Sequence, residues 1–111
     1  MAVVDKELKV AQVVNSGQVV ADTYVVPNGK KVKVVAFHAS SPDSSLAVTK
    51  LVWDYGGAGE TEDWVIQRSE HMPDGRHPEF TGDGTKKIAV ACDNGCTSNY
   101  YFTGYLKLME Y

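Results

Sequence analysis

Abundant valine, interrupted at short intervals by glycine and proline, is the feature that most constrains what this chain can fold into. The 111 residues include 16 Val against 5 Leu, together with 10 Gly and 4 Pro. Valine is branched at Cβ, which suits the pleated surface of a strand better than a helix. No stretch repeats apolar residues at helical spacing for long enough to predict a helix. We therefore expect a fold built from β-strands alone.

Seven apolar stretches separated by turn residues predict the strands, at 8–14, 18–26, 31–39, 47–55, 62–68, 86–92 and 99–109. Asn28-Gly29 is expected to supply the positive φ of a tight hairpin, and residues 70–83 to form a long loop with at most one short strand. Short strands at near-regular spacing are typical of a β-sandwich. We predict a single-domain antiparallel β-sandwich, a jelly roll of about eight strands. It would cover residues 16–111, after an N-terminal arm or first strand over residues 1–15.

Alternation within these stretches predicts which side chains share a face of each strand. In the third stretch, Val32, Val34 and Ala36 share one face. In the fifth stretch, Trp64 and Ile66 lie on one side. In the last two stretches, the shared faces are formed by Ile88, Val90 and Cys92 and by Phe102, Leu106 and Leu108.

The charge of the chain excludes several classes of partner. Eleven Lys and Arg against 14 Asp and Glu give a formal net charge of −3. Without a basic block, the chain is a poor candidate for binding nucleic acid or an anionic membrane surface. No stretch has the roughly 18 consecutive apolar residues of a membrane span, and the first residues lack the regions of a signal peptide. We expect synthesis in a cytoplasm, with no nucleic-acid and no membrane partner.

The two cysteines, Cys92 and Cys96, flank Asp93-Asn94-Gly95. A type I turn with Gly95 as a bulge would bring the thiols face to face across a hairpin, where they can form a disulfide. A type I′ turn at Asn94-Gly95 would place them on opposite faces instead. Synthesis in a cytoplasm favours reduced thiols. A single cysteine pair is also a weak signal for zinc, which needs about four ligands.

Polar clusters that resemble catalytic or metal sites have simpler interpretations. His71 and His77, with Asp74 between them, can be drawn as a metal or acid–base cluster, but a solvated polar loop explains them as well. His38, at the end of a valine-rich strand, is expected to be partly buried and hydrogen-bonded. The glycines around Asp83 lack the strand and helix that a phosphate-binding loop requires. No calcium-loop motif and no activated nucleophile is present, so we predict no enzyme, no catalytic residue, no cofactor and no metal.

The aromatic side chains exceed what a small core needs. Trp53, Trp64 and Phe102 are expected in the core, whereas Tyr101 and Tyr105 lie on the strand face opposite Phe102. Aromatic side chains exposed on a sheet bind sugars or another subunit, because they offer a large contact area at low entropic cost. Tyr101 and Tyr105 are therefore candidate interface residues.

Four segments resemble a pattern found in small β-sandwich proteins of tailed bacteriophages and prophages. They are Tyr24-Val25-Val26-Pro27-Asn28-Gly29-Lys30-Lys31, Leu51-Val52-Trp53-Asp54, Gly82-Asp83-Gly84-Thr85-Lys86-Lys87-Ile88, and Asp93-Asn94 followed by Tyr100-Tyr101-Phe102-Thr103-Gly104. The resemblance runs from about residue 20 to the carboxyl terminus and follows mostly the order of strands and turns. Cys92 and Cys96 are not features of this pattern.

The resemblance implies a virion structural protein, and in particular a capsid decoration (cement) protein of jelly-roll type. Such a protein would bind the major capsid protein on the outer surface of the virion shell, as a homo-oligomer for which a trimer is expected. Residues 1–14 would supply an arm that reaches neighbouring subunits. The implied interface residues are Val3, Val4, Leu8, Val10, Tyr101 and Tyr105.

Two further functions belong to different classes. A carbohydrate-binding or adhesin head domain of a phage fibre or tail is the main alternative, because jelly rolls serve both purposes. Its glycan platform would consist of Trp64, His71 and His77. The other is a small enzyme or metal protein with His71 and His77 as ligands. An exposed valine-rich first strand, which risks aggregation unless it is covered, favours an obligate assembly.

Overall fold

A computed structural model describes residues 3–73 and 75–111 of the chain. These residues form nine β-strands, and they contain no helix long and apolar enough to cross a membrane. The strands are β1 (Val4–Val14), β2 (Val19–Val25), β3 (Lys31–Ser40), β4 (Ala47–Trp53), β5 (Thr61–Gln67), β6 (Ser69–His71), β7 (Glu79–Thr81), β8 (Lys87–Asn94) and β9 (Tyr100–Glu110).

The strands form two antiparallel sheets that pack face to face. Sheet I has the order β1-β9-β3-β6, with β7 also pairing with β3, and sheet II has the order β2-β8-β4-β5. The first four strands alternate between the sheets, and β8 and β9 return to pair beside the earliest strands. This is the strand order of a jelly roll. The predicted all-β, single-domain antiparallel sandwich is confirmed.

The segment from Glu70 to Asp83 differs from the prediction. It was expected to hold at most one short strand, but β6 reaches into it and β7 lies within it. Both pair with β3, β6 near the end of β3 and β7 near its start. Three-residue strands with mostly exposed side chains are too short for alternation to reveal.

Two predicted hairpins are connections between the sheets instead. Pro27 to Lys30 do form a turn, in which Lys30 N–H donates to the Pro27 carbonyl at 3.1 Å and Gly29 has φ 81°. However, β2 and β3 belong to different sheets, and so do β8 and β9. Asn94 is the last residue of β8 and Gly95 has no positive φ, so neither turn predicted between the cysteines forms. Turn residues fix the local backbone, whereas the sheet that the next strand joins depends on which apolar faces meet.

The core lies between the two sheets, and the inward faces of β8 and β9 are those predicted from alternation. Its largest fully buried side chains are Phe37, Phe102, Leu51, Ile66, Ile88, Leu106 and Leu108. In β3 the prediction is wrong for one residue. A bulge at Val35 shifts the register, so that Val32 and Val34 are followed in the core by Phe37 rather than by Ala36.

The N-terminal segment lies inside the sandwich as its first strand. β1 pairs with β9 along its whole length, from Val4 opposite Glu110 to Val14 opposite Tyr100. Its buried side chains, Leu8, Val10 and Val14, belong to the common core. Residues 4–14 therefore do not form an arm that projects from the domain. Met1 and Ala2, the start of the predicted arm, lie outside the described residues.

Candidate interaction surface

His38 is exposed on the outer face of sheet I, contrary to the prediction of partial burial. The bulge at Val35 reverses the alternation of β3 beyond that point, which turns His38 outward and Phe37 inward. The His38 ring stacks on Tyr105 of β9, with 4.7 Å between the ring centroids. Glu7 on the neighbouring strand raises the pKa of the Tyr105 hydroxyl. The outer face of sheet I is thus polar and aromatic at this position.

His71 and His77 line one shallow groove of about 240 Å³ together with His38. His71 faces His38 in the register of β3 and β6, and Nδ1 of His77 lies 3.1 Å from the carbonyl oxygen of Val34. Within residues 3–73 and 75–111, no group of three or more His, Cys, Asp or Glu side chains is placed to hold a metal ion. Asp74, the third predicted member of the cluster, lies outside the described residues.

Trp64 does not offer an open ring to a sugar. The ring is half-buried against the core, and the guanidinium of Arg76 lies 4.8 Å from its centroid. Arg76 is held there by a hydrogen bond from Nη2 to the Asp63 carboxylate at 3.0 Å. The groove that His71 and His77 share does not include Trp64. The structure therefore does not combine the predicted platform residues into one surface.

The acidic residues at two turns hold those turns in shape. Asp54, at φ 58°, accepts a hydrogen bond from Gly59 N–H at 2.9 Å. Asp83 accepts from the N–H groups of Thr85 and Lys86 and from the Thr85 hydroxyl. These bonds, those from the backbone first, lower the pKa of Asp83 to about 2. The glycine-flanked segment in the resemblance is thus a turn closed by its own carboxylate.

The two cysteines are free thiols in different environments. Cys92 is buried in the core, where the Thr49 hydroxyl donates to its sulfur at 3.6 Å. Burial raises the pKa of the Cys92 thiol, and the Thr49 bond opposes this effect. Cys96 is half-buried in the loop between β8 and β9.

A polar contact that was not predicted from the sequence joins the sheets near the carboxyl terminus. The Tyr24 hydroxyl on β2 donates to the buried carboxylate of Glu110 on β9. The Lys6 ammonium lies 5.1 Å from the centroid of the Tyr24 ring. Burial, and then the hydrogen bond to Glu110, raise the pKa of Tyr24 to about 12. No local pattern links two residues that are 86 positions apart.

The implied interface residues divide between the surface and the core. Val3, Val4 and Tyr101 are exposed, and Tyr105 is half-buried beneath its neighbours on sheet I. Leu8 and Val10 are buried in the core, at 6% and 4% exposure. Their side chains are not available to a partner, and the prediction is wrong for these two residues.

One end of the sandwich combines exposed apolar side chains with very little charge. This uncharged end consists of the loops at 15–18, 41–46 and 95–99 and the strand ends beside them. Five of the nine large apolar side chains exposed within the described residues lie there, namely Val13, Val19, Leu46, Tyr100 and Tyr101. Segments 12–21 and 94–103 contain no charged residue. Asp43 is the only charged residue of segment 39–46, and it forms an exposed ion pair at this end with Arg68 at 2.5 Å.

The Asn94 side chain connects several segments of the uncharged end by hydrogen bonds. Its side chain is fully buried, and Nδ2 donates to the carbonyl oxygens of Val14 at 2.8 Å and Ser98 at 2.9 Å. Its Oδ1 accepts from Cys96 N–H at 2.9 Å. A single amide thus links the end of β1, the end of β8 and the loop that leads to β9. Because these hydrogen bonds form only in one arrangement, they favour a single conformation of the loop between β8 and β9.

Further hydrogen bonds connect the three loops. Ser16 N–H donates to Asn99 Oδ1 at 2.9 Å, and Gly95 N–H donates to the Leu46 carbonyl at 2.8 Å. Because the loops are far apart in the sequence, Tyr101 is the one exposed residue of this end that the sequence pattern predicted to lie at an interface. The sequence does carry one signal for this end: segments 12–21 and 94–103 contain no charged residue, in a chain with 23% charged residues.

Comparison with known proteins gives few matches. No known protein family has a sequence pattern that matches the chain, and no curated protein matches it either. Among solved structures, the chain is similar to the solution NMR structure of a de novo designed double-stranded β-helix, at a TM-score of 0.39 and 19% sequence identity. That similarity covers 91% of this chain and 97% of the designed one. It is too weak to indicate a shared fold or function.

Proposed function

We propose that this chain is a structural protein of a tailed-phage virion, a capsid decoration protein that binds the outer shell and stabilises it through protein–protein contacts. The observation that carries the proposal is the uncharged end, with Leu46 and Tyr101 as its most exposed apolar side chains, each at 59%. The centres of protein interfaces are depleted of charge and enriched in tyrosine. The resemblance described above supplies the class of partner, a major capsid protein.

The hydrogen bonds within the uncharged end support the same role. A surface that is ordered before binding loses little conformational entropy when it docks, so more of the contact energy is retained as affinity. The buried Asn94 amide and the bonds between the loops provide this order. Apolar area buried across two neighbouring shell subunits would oppose their separation, which is what a cement protein has to achieve.

The carbohydrate-binding alternative has less support. Arg76 occupies one face of Trp64, and the histidines of the expected platform lie in a different groove. An open aromatic ring is what stacks on a sugar. We therefore place the contact with the shell ahead of glycan recognition.

A shell-binding assay tests the proposal. Shells stripped of this chain are incubated with purified wild-type protein or with the double variant Leu46→Ser and Tyr101→Ser, and the bound fraction is measured by sedimentation. We expect the double variant to bind at least about tenfold more weakly, because truncating two central apolar side chains of an interface has effects of this size. Val65→Ser is the matched control, since Val65 is exposed on the outer face of sheet II, away from the uncharged end.

Two results would count against the proposal. One is wild-type binding by the double variant together with an intact fold by circular dichroism. The other is no shell binding by the wild type, combined with glycan-array signals that Trp64→Ala abolishes, which would favour the adhesin function.

A further inference from the structure

β1 is an edge strand of sheet I, with β9 on one side and no strand from residues 3–73 or 75–111 on the other. Lys9 N–H donates to the Asp22 carboxylate of β2 at 3.0 Å, and therefore points away from β9. The backbone groups of a strand point alternately to its two sides. The N–H and C=O groups of Asp5, Glu7, Ala11 and Val13 consequently face the same free side as those of Lys9. A long free edge of this kind is a template for pairing with another strand.

The edge is open to solvent along part of its length. A groove of about 560 Å³ lies beside residues 9–12 of β1 and residues 20–22 of β2. The side chains of the odd-numbered residues of β1 are all exposed on the outer face of sheet I. An incoming strand would therefore meet backbone groups at the edge and the side chains of Asp5, Glu7 and Lys9 above it.

We infer that this edge pairs with the same edge of a second copy, antiparallel, about a two-fold axis through Leu8. In this register Glu7 faces Lys9 of the second copy, and by symmetry Lys9 faces Glu7 of the second copy. Asp5 faces Ala11, so no like charges stand directly opposite one another. Opposite charges in facing positions stabilise a strand pair, and like charges destabilise it.

The neighbouring registers are less favourable. The free N–H and C=O groups belong to odd-numbered residues, so two edges can pair only when odd-numbered residues face odd-numbered residues. A slip by one residue would place groups that point toward the partner opposite groups that point away from it. Moving the axis by one residue toward the amino terminus places Glu7 opposite Glu7, although it also places Asp5 opposite Lys9 in both directions. Moving it by one residue toward the carboxyl terminus places Lys9 opposite Lys9 and brings no opposite charges together. Of these three registers, the one centred on Leu8 alone has opposite charges in facing positions and no like charges. The charge pattern of β1 therefore complements itself at the register centred on Leu8.

Asp22 competes with this pairing. In the two-fold pair, Lys9 N–H donates to the Glu7 carbonyl of the second copy, which requires release of the Asp22 carboxylate. Asp22 thus sets how readily the edge opens to a partner. Its removal is expected to strengthen the association.

The test is the mass of the purified full chain in solution, by sedimentation velocity and native mass spectrometry over a wide concentration range. The expected species is a dimer, in contrast to the trimer that the resemblance implies. Glu7→Lys alone and Lys9→Glu alone should each weaken the dimer by about tenfold or more, because each turns two attractive cross-strand pairs into repulsive ones. The double swap, Glu7→Lys with Lys9→Glu, should restore it.

Three further variants complete the design. Ala11→Pro removes an edge N–H without removing a bond to β9, and should abolish the dimer while β-sheet circular dichroism is retained. Asp22→Ala should strengthen the dimer, and Lys87→Glu on β8 is the charge-matched control that should leave it unchanged. A monomer at every concentration, a trimer, or a dimer unaffected by the charge swaps and by Ala11→Pro would each overturn the inference. None of these results bears on whether the chain binds a shell.

Discussion

At the scale of single residues, Asn94 and Tyr24 each join parts of the chain that are far apart in sequence. Asn94 satisfies two carbonyl groups and one N–H at the uncharged end, and Tyr24 satisfies the buried carboxylate of Glu110 near the carboxyl terminus. Asn94 is fully buried, and Tyr24 is partly buried where it contacts the buried Glu110. A buried polar group that loses its partner keeps the full cost of desolvation, so each residue has a measurable effect on stability.

Asn94→Ala should lower the free energy of unfolding by about 2–4 kcal/mol, because it leaves the carbonyl groups of Val14 and Ser98 without their donor. Urea denaturation followed by circular dichroism measures the change. Asn99→Ala is the matched control, since Asn99 makes one exposed hydrogen bond to Ser16, and its loss should stay below about 1 kcal/mol. Equal losses for the two variants would show that Asn94 does not hold this end of the sandwich.

Tyr24 makes the stability of the fold sensitive to alkaline pH. Its pKa is raised from 10.0 to about 12 in the folded protein, by burial and by Glu110, so the folded state binds the hydroxyl proton more tightly than the unfolded state does. The resulting stabilisation is fully present below pH 10 and is lost as the pH rises towards 12. We expect the unfolding free energy of the wild type to fall over this range more steeply than that of Tyr24→Phe.

The same variant has an effect at neutral pH. Tyr24→Phe should lower the free energy of unfolding by about 1–3 kcal/mol, because Glu110 loses a hydrogen-bond donor in a buried site. Tyr101→Phe, which removes an exposed hydroxyl, is the control for both measurements. A tyrosinate absorbance titration in which wild type and Tyr24→Phe show the same high-pH component would contradict this account.

At the scale of strands, β9 approaches the opposite sheet closely at Gly104. A Cβ atom at this position would lie 2.8 Å from Val90 Cγ2, 3.0 Å from Thr49 Cγ2 and 3.2 Å from Cys92 Sγ. These atoms belong to β8 and β4 of the opposite sheet. Glycine is therefore required here by the close approach of two strands, rather than by a turn.

Gly104→Ala should destabilise the fold by about 1–3 kcal/mol through overpacking of the core. The matched test is the double variant with Val90→Ala, which removes the nearest methyl group. If a Cβ atom at residue 104 crowds Val90, the double variant should lose less stability than the sum of the two single variants, as measured by urea denaturation. Strict additivity would mean that Gly104 and Val90 do not crowd one another.

The positions of the seven longer strands could be predicted from the sequence, whereas the short strands β6 and β7 and the connections between strands could not. In β9 the core face follows from alternation, because buried side chains alternate with less buried ones along most of the strand. In β8 the larger apolar side chains mark the core face, although Ala89 and Ala91 on the other face are buried as well. The turns at Asn28-Gly29 and after Asn94 were expected to close hairpins, yet both lead from one sheet to the other. Turn chemistry describes a few residues, and the choice of sheet depends on the packing of the whole chain. The bulge at Val35 was also beyond prediction, and it decides the exposure of His38.

At the scale of the whole molecule, the two ends of the sandwich differ in charge. The uncharged end contrasts with the other end, where Lys30, Lys31, Lys86 and Lys87 lie beside the turns at 27–30 and 82–86. A charged surface stays hydrated, while an uncharged surface with exposed tyrosine and leucine is the one that gains by contact with a protein. We therefore expect the uncharged end to face the shell and the lysine-bearing end to face solvent.

The candidate surface was only partly accessible to sequence reasoning. Tyr101 was identified from its position opposite Phe102, but Leu46, Val13 and Val19 come from other segments and lie at the same end of the sandwich only in the folded chain. Leu8 and Val10 were assigned to an interface because the first strand was considered as an arm. Once β1 pairs with β9, their side chains belong to the core.

The most direct test of a role as a capsid decoration protein is quantitative mass spectrometry of purified particles released from cells that carry this gene. Copies of the chain are counted against copies of the major shell protein. A decoration protein should be present in numbers comparable to those of the shell subunits, and should be lost from particles that carry Leu46→Ser with Tyr101→Ser. A few copies per particle would instead indicate a fibre or tail component, and absence from particles would contradict a role in the virion.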